Sequence, residues 1–119
     1  MRYMLLIYGD GSEQELDEAE LRARYQEYFR LGDDLRAAER LVSSDELAPV
    51  SSATTVQVRG GDTIVTDGPF AETKETLGGF YLIEADSLDE AIDWAARIPG
   101  ARTGKVEIRP VHDNAEYRE

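Results

Sequence analysis

Two segments of this 119-residue chain carry large apolar side chains at consecutive positions, without polar residues between them. Residues 3–8 have the sequence YMLLIY, and residues 80–84 have the sequence FYLIE. Consecutive side chains of a β-strand point to opposite faces of its sheet, so a strand of this kind needs cover on both faces. The fold must therefore bury both sides of one sheet.

The remaining periodicity predicts two helices and four further strands or strand-like segments. Capping-box spacing marks the start of each helix, and two adjacent glycines between β-branched runs indicate a hairpin. In chain order we predict a strand at 3–8, a helix from Ser12 and Glu15 to about Arg40, a brief extended segment at 41–42, a loop at 43–52, hairpin strands at 54–59 and 62–66 around Gly60-Gly61, a strand at 80–84, a helix that begins at Ser87 and ends before Pro99-Gly100, and a strand at 105–111.

This order predicts an α+β fold, a ferredoxin-like βαββαβ arrangement with an inserted β-hairpin. Two helices cover only one face of such a sheet, and an uncovered apolar face would be a large adhesive patch in water. We therefore expect a homodimer in which two sheets pack face to face, a dimeric α+β barrel. Either Tyr3→Asp or Leu5→Asp is expected to unfold the chain or to abolish the dimer.

Composition limits the partners of the protein. The net charge of −12 and the pI of about 4.4 disfavour direct binding to nucleic acids or to anionic membranes, which are polyanions. The chain has no cysteine, which excludes disulfides and thiolate chemistry, and its apolar runs are too short to span a bilayer. We expect a cytoplasmic protein with one domain at 1–112 and a polar C-terminal tail at 113–119.

The segment between the hairpin and the strand at 80–84 holds the candidate site. Asp67, Gly68 and Pro69 predict a rigid corner that directs the Asp67 carboxylate into a cavity. Phe70 is expected to pack on the protein body, because a large apolar ring is unlikely to lie in water. Gly78-Gly79 then returns the chain to the sheet. We predict an ordered loop over 67–77 that lines a cavity at the sheet edge of the dimer.

Polar groups on this loop suggest roles in ligand binding or catalysis. Asp67 and Glu72 are candidate hydrogen-bond acceptors, and Lys74 is a candidate clamp for an anionic group. The pocket near Asp67 is expected to be shared with Tyr81 or with the neighbouring chain. Asp67 and Tyr81 are the candidate catalytic residues, and the candidate ligand-binding residues are Asp67, Phe70, Glu72, Lys74 and Tyr81. The alternative is that Phe70 is simply buried and that every charge faces solvent. Asp67, Glu72 and Glu75 could instead hold a hard cation through their oxygens, but their spacing matches no established calcium loop, so we predict no metal site. We predict no cofactor.

The nonapeptide DGPFAETKE at 67–75, followed by LGGFY at 77–81, resembles the signature of the DGPF branch of the YCII-related family. The resemblance extends to RYMLLIY at 2–8, DEA at 89–91 and VEIRP at 106–110, and so covers nearly the whole chain. It implies a dimeric α+β barrel. Members of the branch often occur beside extracytoplasmic-function sigma factors, which implies a regulatory or accessory role. The wider family has been proposed to use a His–Asp pair. Here the only histidine is His112, and the first predicted helix carries Tyr25 and Tyr28 instead.

Two classes of function therefore remain open. The first is a small-molecule enzyme that uses acid–base chemistry in a barrel cavity near Asp67. The second is a non-catalytic ligand-binding or interaction module linked to sigma-factor-dependent transcription. An enzyme needs a buried carboxylate in a pocket, whereas a module needs a pocket without one or an exposed surface for a partner.

Overall fold

The computed structural model describes residues 1–118 and contains one four-stranded antiparallel sheet and one separate hairpin. The order of the large sheet is β2-β5-β1-β6, which is the ferredoxin-like arrangement, and β3 and β4 form the inserted hairpin. The α+β, ferredoxin-like prediction is confirmed. The elements are β1 (Arg2–Gly9), α1 (Glu18–Ala37), β2 (Leu41–Glu46), β3 (Thr54–Arg59), β4 (Asp62–Asp67), β5 (Thr76–Glu84), α2 (Leu88–Ala96), α3 (Gly100–Thr103) and β6 (Lys105–Pro110).

The start of α1 differs from the prediction. Residues 12–15 form a separate turn of 3-10 helix, and Asp17 caps the α-helix instead. The Asp17 carboxylate accepts a hydrogen bond from the Glu20 amide at 2.8 Å, and the Glu20 side chain accepts one from the Asp17 amide. The capping box is therefore present, but it lies five residues later than predicted. Asp17 and Glu20 have the same spacing in sequence as Ser12 and Glu15, so the spacing alone does not distinguish the two pairs. At α2, Ser87 caps as predicted.

Two strands are longer than the sequence predicts. β2 continues through residues 43–46, which were predicted to be loop, and β5 begins at Thr76 rather than at Phe80. A Cβ on Gly79 would lie 2.8 Å from the Asp45 carbonyl oxygen, so the glycine lets β5 approach β2 closely. α2 ends at Ala96, before Pro99-Gly100, as predicted, but the short helix α3 at Gly100–Thr103 was not predicted. The predicted tail at 113–119 contains a 3-10 turn at 115–117, and Glu119 lies outside the described residues.

The hydrophobic core lies between one face of the large sheet and the helices. Tyr3 and Leu5 of β1 and Ile83 of β5 are buried there, and α1 contributes Leu31 and Leu35. Alternation along the strands explains this pattern, because every second residue points toward the helices. Within residues 1–118 no polar or charged residue is fully buried.

The opposite face of the sheet, here called the open face, is also apolar at its centre. Met4 pairs directly with Leu82, and Leu6 pairs directly with Phe80, so the four side chains share one face and are half-buried. The chain measures 48 × 47 × 19 Å, and its short dimension is about the thickness of one sheet and one helix layer. No second layer from the described part of the chain therefore covers the open face.

The hairpin β3–β4 extends away from this body. Gly60 and Gly61 have φ angles of +56° and +85°, as a tight hairpin turn requires. The two strands contact each other extensively and make only marginal contacts with other elements. The radius of gyration is 16.7 Å, compared with about 13.5 Å for a compact chain of this length. Within residues 1–118, no helix is long and apolar enough to cross a bilayer.

Candidate functional site

The predicted rigid corner is present at the base of the hairpin. Asp67 is the last residue of β4, lies opposite Thr54 and is exposed. Gly68 has a φ of +97°, a conformation that side-chain-bearing residues rarely adopt. The Gly68 amide donates to the Ala53 carbonyl at 2.7 Å, and the Thr55 hydroxyl donates to the Gly68 carbonyl at 2.8 Å. Two hydrogen bonds thus fix the direction of the chain immediately after Asp67.

The prediction that Phe70 packs on the protein body is wrong for the single chain. Its side chain is 90% exposed. It borders an open groove of about 530 Å³ that is lined by Thr55, Val56, Gln57, Thr66, Pro69 and Phe70. The physical reason is the position of the corner. It is attached to a hairpin that projects from the body, so no apolar surface among residues 1–118 covers the ring.

Asp67 and Phe70 lie on different sides of the hairpin base. Cross-strand pairs point to one face, and successive pairs alternate. Asp67 shares its face with Thr54 and Val56, whereas three of the six residues that line the Phe70 groove, Thr55, Gln57 and Thr66, point to the other face. The single chain therefore does not place the Phe70 ring and the Asp67 carboxylate in one pocket.

The end of the loop is anchored to the large sheet. The Lys105 ammonium group on β6 lies 2.6 Å from a carboxylate oxygen of Glu75, and the Thr73 hydroxyl donates to the Glu75 carbonyl. Glu72 and Lys74 are exposed between the corner and this anchor. The loop is thus held at both ends, with its charges directed to solvent in the single chain.

Lys74 lies near the end of β1. The Ser12 amide donates to Asp10 at 2.9 Å and holds the pKa of that carboxyl below its ordinary value, and the positive charge of Lys74 lowers it further. Asp10 is fully exposed, so this attraction is weakened by water. Even so, Lys74 has an acidic neighbour, which reduces its fitness as a clamp for an anionic ligand.

Tyr81 is not in contact with Asp67. Its side chain is only 6% exposed and points to the helix-facing side of the sheet, where the hydroxyl donates to the Tyr28 carbonyl at 3.2 Å. Burial raises the pKa of Tyr81 to about 12, so the phenol stays protonated at neutral pH. Tyr81 therefore joins β5 to α1 in the core, at a position that a ligand cannot reach from solvent.

A second polar group, which the sequence analysis missed, joins α1 to the end of β2. The Tyr25 hydroxyl lies 2.9 and 3.0 Å from the two carboxylate oxygens of Glu46. This hydrogen bond is the main cause of the raised pKa of Tyr25. The Tyr25 ring stacks on Phe29 at 6.2 Å and borders an open groove of about 520 Å³. Glu46 lay in a predicted loop, so only a correct end for β2 would have revealed the pair.

Tyr28 occupies the neighbouring position on the core side of α1. Its hydroxyl accepts a hydrogen bond from the Gly100 amide at 3.1 Å. A Cβ on Gly100 would lie 3.0 Å from that hydroxyl and 2.7 Å from a methyl group of Ile7, so only glycine allows this approach. Burial, together with the nearby charge of Glu13, raises the pKa of Tyr28 to about 12. The residue thus connects α1 to the start of α3.

Comparison with known proteins identifies the family. The model of the YCII-related domain matches residues 1–114. An uncharacterised protein of Rhizobium meliloti is 41% identical over 124 aligned positions, which cover 93% of this chain and 92% of that protein. The family predicted from the sequence is therefore confirmed. The chain belongs to the YCII-related domain family.

Proposed function

We propose that the protein acts as a homodimer and binds a small molecule at a site formed between the two copies. The observation that carries this proposal is the separation of the site residues in one chain. Asp67, Phe70 and Tyr81 lie respectively on one face of the hairpin, on its other face and in the core. A site that includes the loop charges needs a second surface opposite them.

The open face supports the homodimer. Met4, Leu6, Phe80 and Leu82 form a continuous apolar centre on a sheet that helices cover on its other side only. Removing further apolar area from water contributes about 25 cal/mol per Å². A second copy presents the same surface, and a twofold axis brings the two together without leaving a free face. The dimer is thus the simplest way to bury both sides of the sheet.

The charges of the loop favour a neutral or cationic ligand. Asp67 and Glu72 are exposed acceptors, Lys74 lies near Asp10, and the chain carries a net charge of −12. A ligand with N–H or O–H donors would satisfy the carboxylates, whereas an anion would be repelled by most of the surface. We therefore propose an amine or a hydroxylated small molecule as the ligand class.

Two alternatives stay open for the same site. An acid–base enzyme near Asp67 requires that the partner or the ligand cover that carboxylate, because a general base works best when shielded from bulk water. An interaction module for transcriptional control would instead offer the open face to a different protein. Monomeric behaviour of the isolated chain would favour the module.

The ligand proposal is tested with three probes that share one ring: benzylamine, benzyl alcohol and benzoate. Thermal stabilisation of the protein should follow the order benzylamine, benzyl alcohol, benzoate. Asp67→Asn should abolish the preference for the amine, whereas Asp62→Asn, at the distant tip of the hairpin, should preserve it. Preferential stabilisation by benzoate, lost in Lys74→Gln, would contradict the proposal and support an anion clamp.

A further inference from the structure

The two faces of the hairpin differ in chemistry. One face, here called the valine face, carries the Val56–Val65 pair and Val58, which lies opposite Thr63. These three valines are 60%, 61% and 68% exposed. The other face carries the Thr55–Thr66 pair and Gln57 opposite Ile64. The hairpin is therefore amphipathic, and its apolar side is directed into solvent in the single chain.

An uncovered hairpin of this kind is not stable by itself. A two-stranded hairpin is marginal in water at best, and β3–β4 makes only marginal contacts with the rest of the described chain. Exposed apolar strands also tend to pair or aggregate unless another surface protects them. The valine face therefore needs an occupant from outside the chain.

A second copy of this chain fits the valine face by area. The open face of four strands, each about six residues long, spans about 400 Å² in projection. A stable dimer buries about 800 Å² on each partner, so the sheet alone supplies about half of that area. The valine face adds about 200 Å² of projected area with the same apolar character, so the two faces together supply about 600 Å² of the about 800 Å². Each chain carries both surfaces, so a twofold dimer would bury the open face and the valine face of both copies.

Charge also favours a second copy. Two chains of net charge −12 repel each other, so their contact surfaces must be poor in charge. On the valine face the only charged residue is Asp67, at the base of the hairpin. Arg59 and Asp62 at the tip belong to the other face. The valine face is thus a region where two acidic copies can approach closely.

We infer that the hairpin is an arm that the two copies exchange, with the valine face of each arm packed on its partner. This inference rests on the proposed homodimer and deepens it. Because Asp67 lies on the valine face, the same packing carries its carboxylate to the edge of the interface. The partner would then supply the second wall of the site, which the single chain lacks, and each ligand site would be built from both copies.

Adjacent residues on opposite faces of β3 provide the test. Val56→Asp places a charge on the valine face, and Gln57→Asp places the same charge on the other face. Sedimentation equilibrium should show a dimer dissociation constant at least tenfold higher for Val56→Asp and nearly unchanged for Gln57→Asp. An unchanged constant for both variants would overturn the arm exchange while the dimer stands. A monomeric wild type would overturn both proposals.

A second measurement does not depend on the folding of a charged variant. The chain has no cysteine, so Val58→Cys accepts a single paramagnetic label. The paramagnetically labelled chain is mixed with ¹⁵N-enriched wild type that carries no paramagnetic label. Only the wild-type partner then gives NMR signals. We expect broadening of a contiguous set of partner amides. A mixed dimer without any broadening would overturn the inference. Neither measurement uses a ligand, so a failure of the ligand proposal would be seen separately.

Discussion

Tyr25 on α1 donates its phenolic hydrogen to Glu46 at the end of β2, with both carboxylate oxygens within 3.0 Å of the hydroxyl. The contact joins the helix layer to an edge strand of the sheet. The two residues are 21 positions apart in sequence. Since the carboxylate accepts the hydrogen bond, the pair is charge-assisted and stronger than a neutral one.

Loss of this contact should destabilise the fold modestly. Tyr25→Phe removes the donor and leaves the ring on Phe29 in place. Because the hydrogen bond is exposed to solvent, we expect a fall of about 0.5–1 kcal/mol in the free energy of unfolding. Urea denaturation checks the value. Tyr117→Phe, an exposed tyrosine in the C-terminal turn, is the matched control and should have no effect. Equal stability of the two variants would mean that the Tyr25 contact contributes nothing.

Buried Tyr81 and partly buried Tyr28 predict a loss of stability in alkali. The pKa of Tyr28 and of Tyr81 is raised to about 12 in the folded chain, from the ordinary value of 10.0. Between pH 10 and pH 12, unfolding therefore releases protons from these two tyrosines. The stabilising contribution is complete below pH 10 and falls as the pH rises toward 12, by at most about 1.4 kcal/mol per pH unit for each tyrosine, since solvent around the phenols reduces the effect.

Denaturation curves recorded between pH 9 and 12 measure this slope. The double variant Tyr28→Phe and Tyr81→Phe should be less stable than the wild type below pH 10, because Tyr28 loses its bond to Gly100 and Tyr81 its bond to the Tyr28 carbonyl. Its stability should nevertheless depend less on pH. An unchanged slope in this variant would show that other groups cause the alkaline loss.

The adjacent glycines at the start of β5 should tolerate alanine differently. A Cβ on Gly79 would lie 2.8 Å from the Asp45 carbonyl oxygen, whereas a Cβ on Gly78 would lie 3.8 Å from its nearest neighbour, the Ile7 carbonyl oxygen. Gly79→Ala should therefore destabilise the protein by about 1–3 kcal/mol, and Gly78→Ala should be nearly neutral. Thermal unfolding of the two variants decides this. A neutral Gly79→Ala would mean that β2 shifts at little cost.

Adjacent leucines on β1 should separate folding from assembly. Leu5 is 1% exposed and packs against the helices, so Leu5→Asp should unfold the chain, and the same holds for buried Tyr3. Leu6 lies on the open face, so Leu6→Asp should give a folded monomer. Circular dichroism and sedimentation distinguish the outcomes. A dimeric Leu6→Asp variant would exclude the open face as the interface.

The sequence predicted the architecture because strand alternation and helix spacing are local patterns. β1 and the hairpin were predicted almost to their ends, since apolar runs and Gly60-Gly61 mark them directly. The end of β2 was not, because residues 43–46 are Ser-Ser-Asp-Glu, and their strand conformation comes from pairing with β5. Tertiary pairing overrides weak local preference there.

The candidate site was predicted less well than the fold. The corner at Gly68 was anticipated because a turn residue determines it locally. The positions of Phe70 and Tyr81 were not, because they depend on which face of a strand or hairpin meets another layer. Residue type alone cannot distinguish a core tyrosine such as Tyr81 from a pocket tyrosine.

The homodimer is the central claim, and the mass of the wild-type protein in solution tests it most directly. Sedimentation equilibrium at micromolar concentration should give twice the chain mass of 13.3 kDa. A single species of 13.3 kDa that keeps a cooperative unfolding transition would contradict the account, because the open face and the valine face would then be stable in water without a partner.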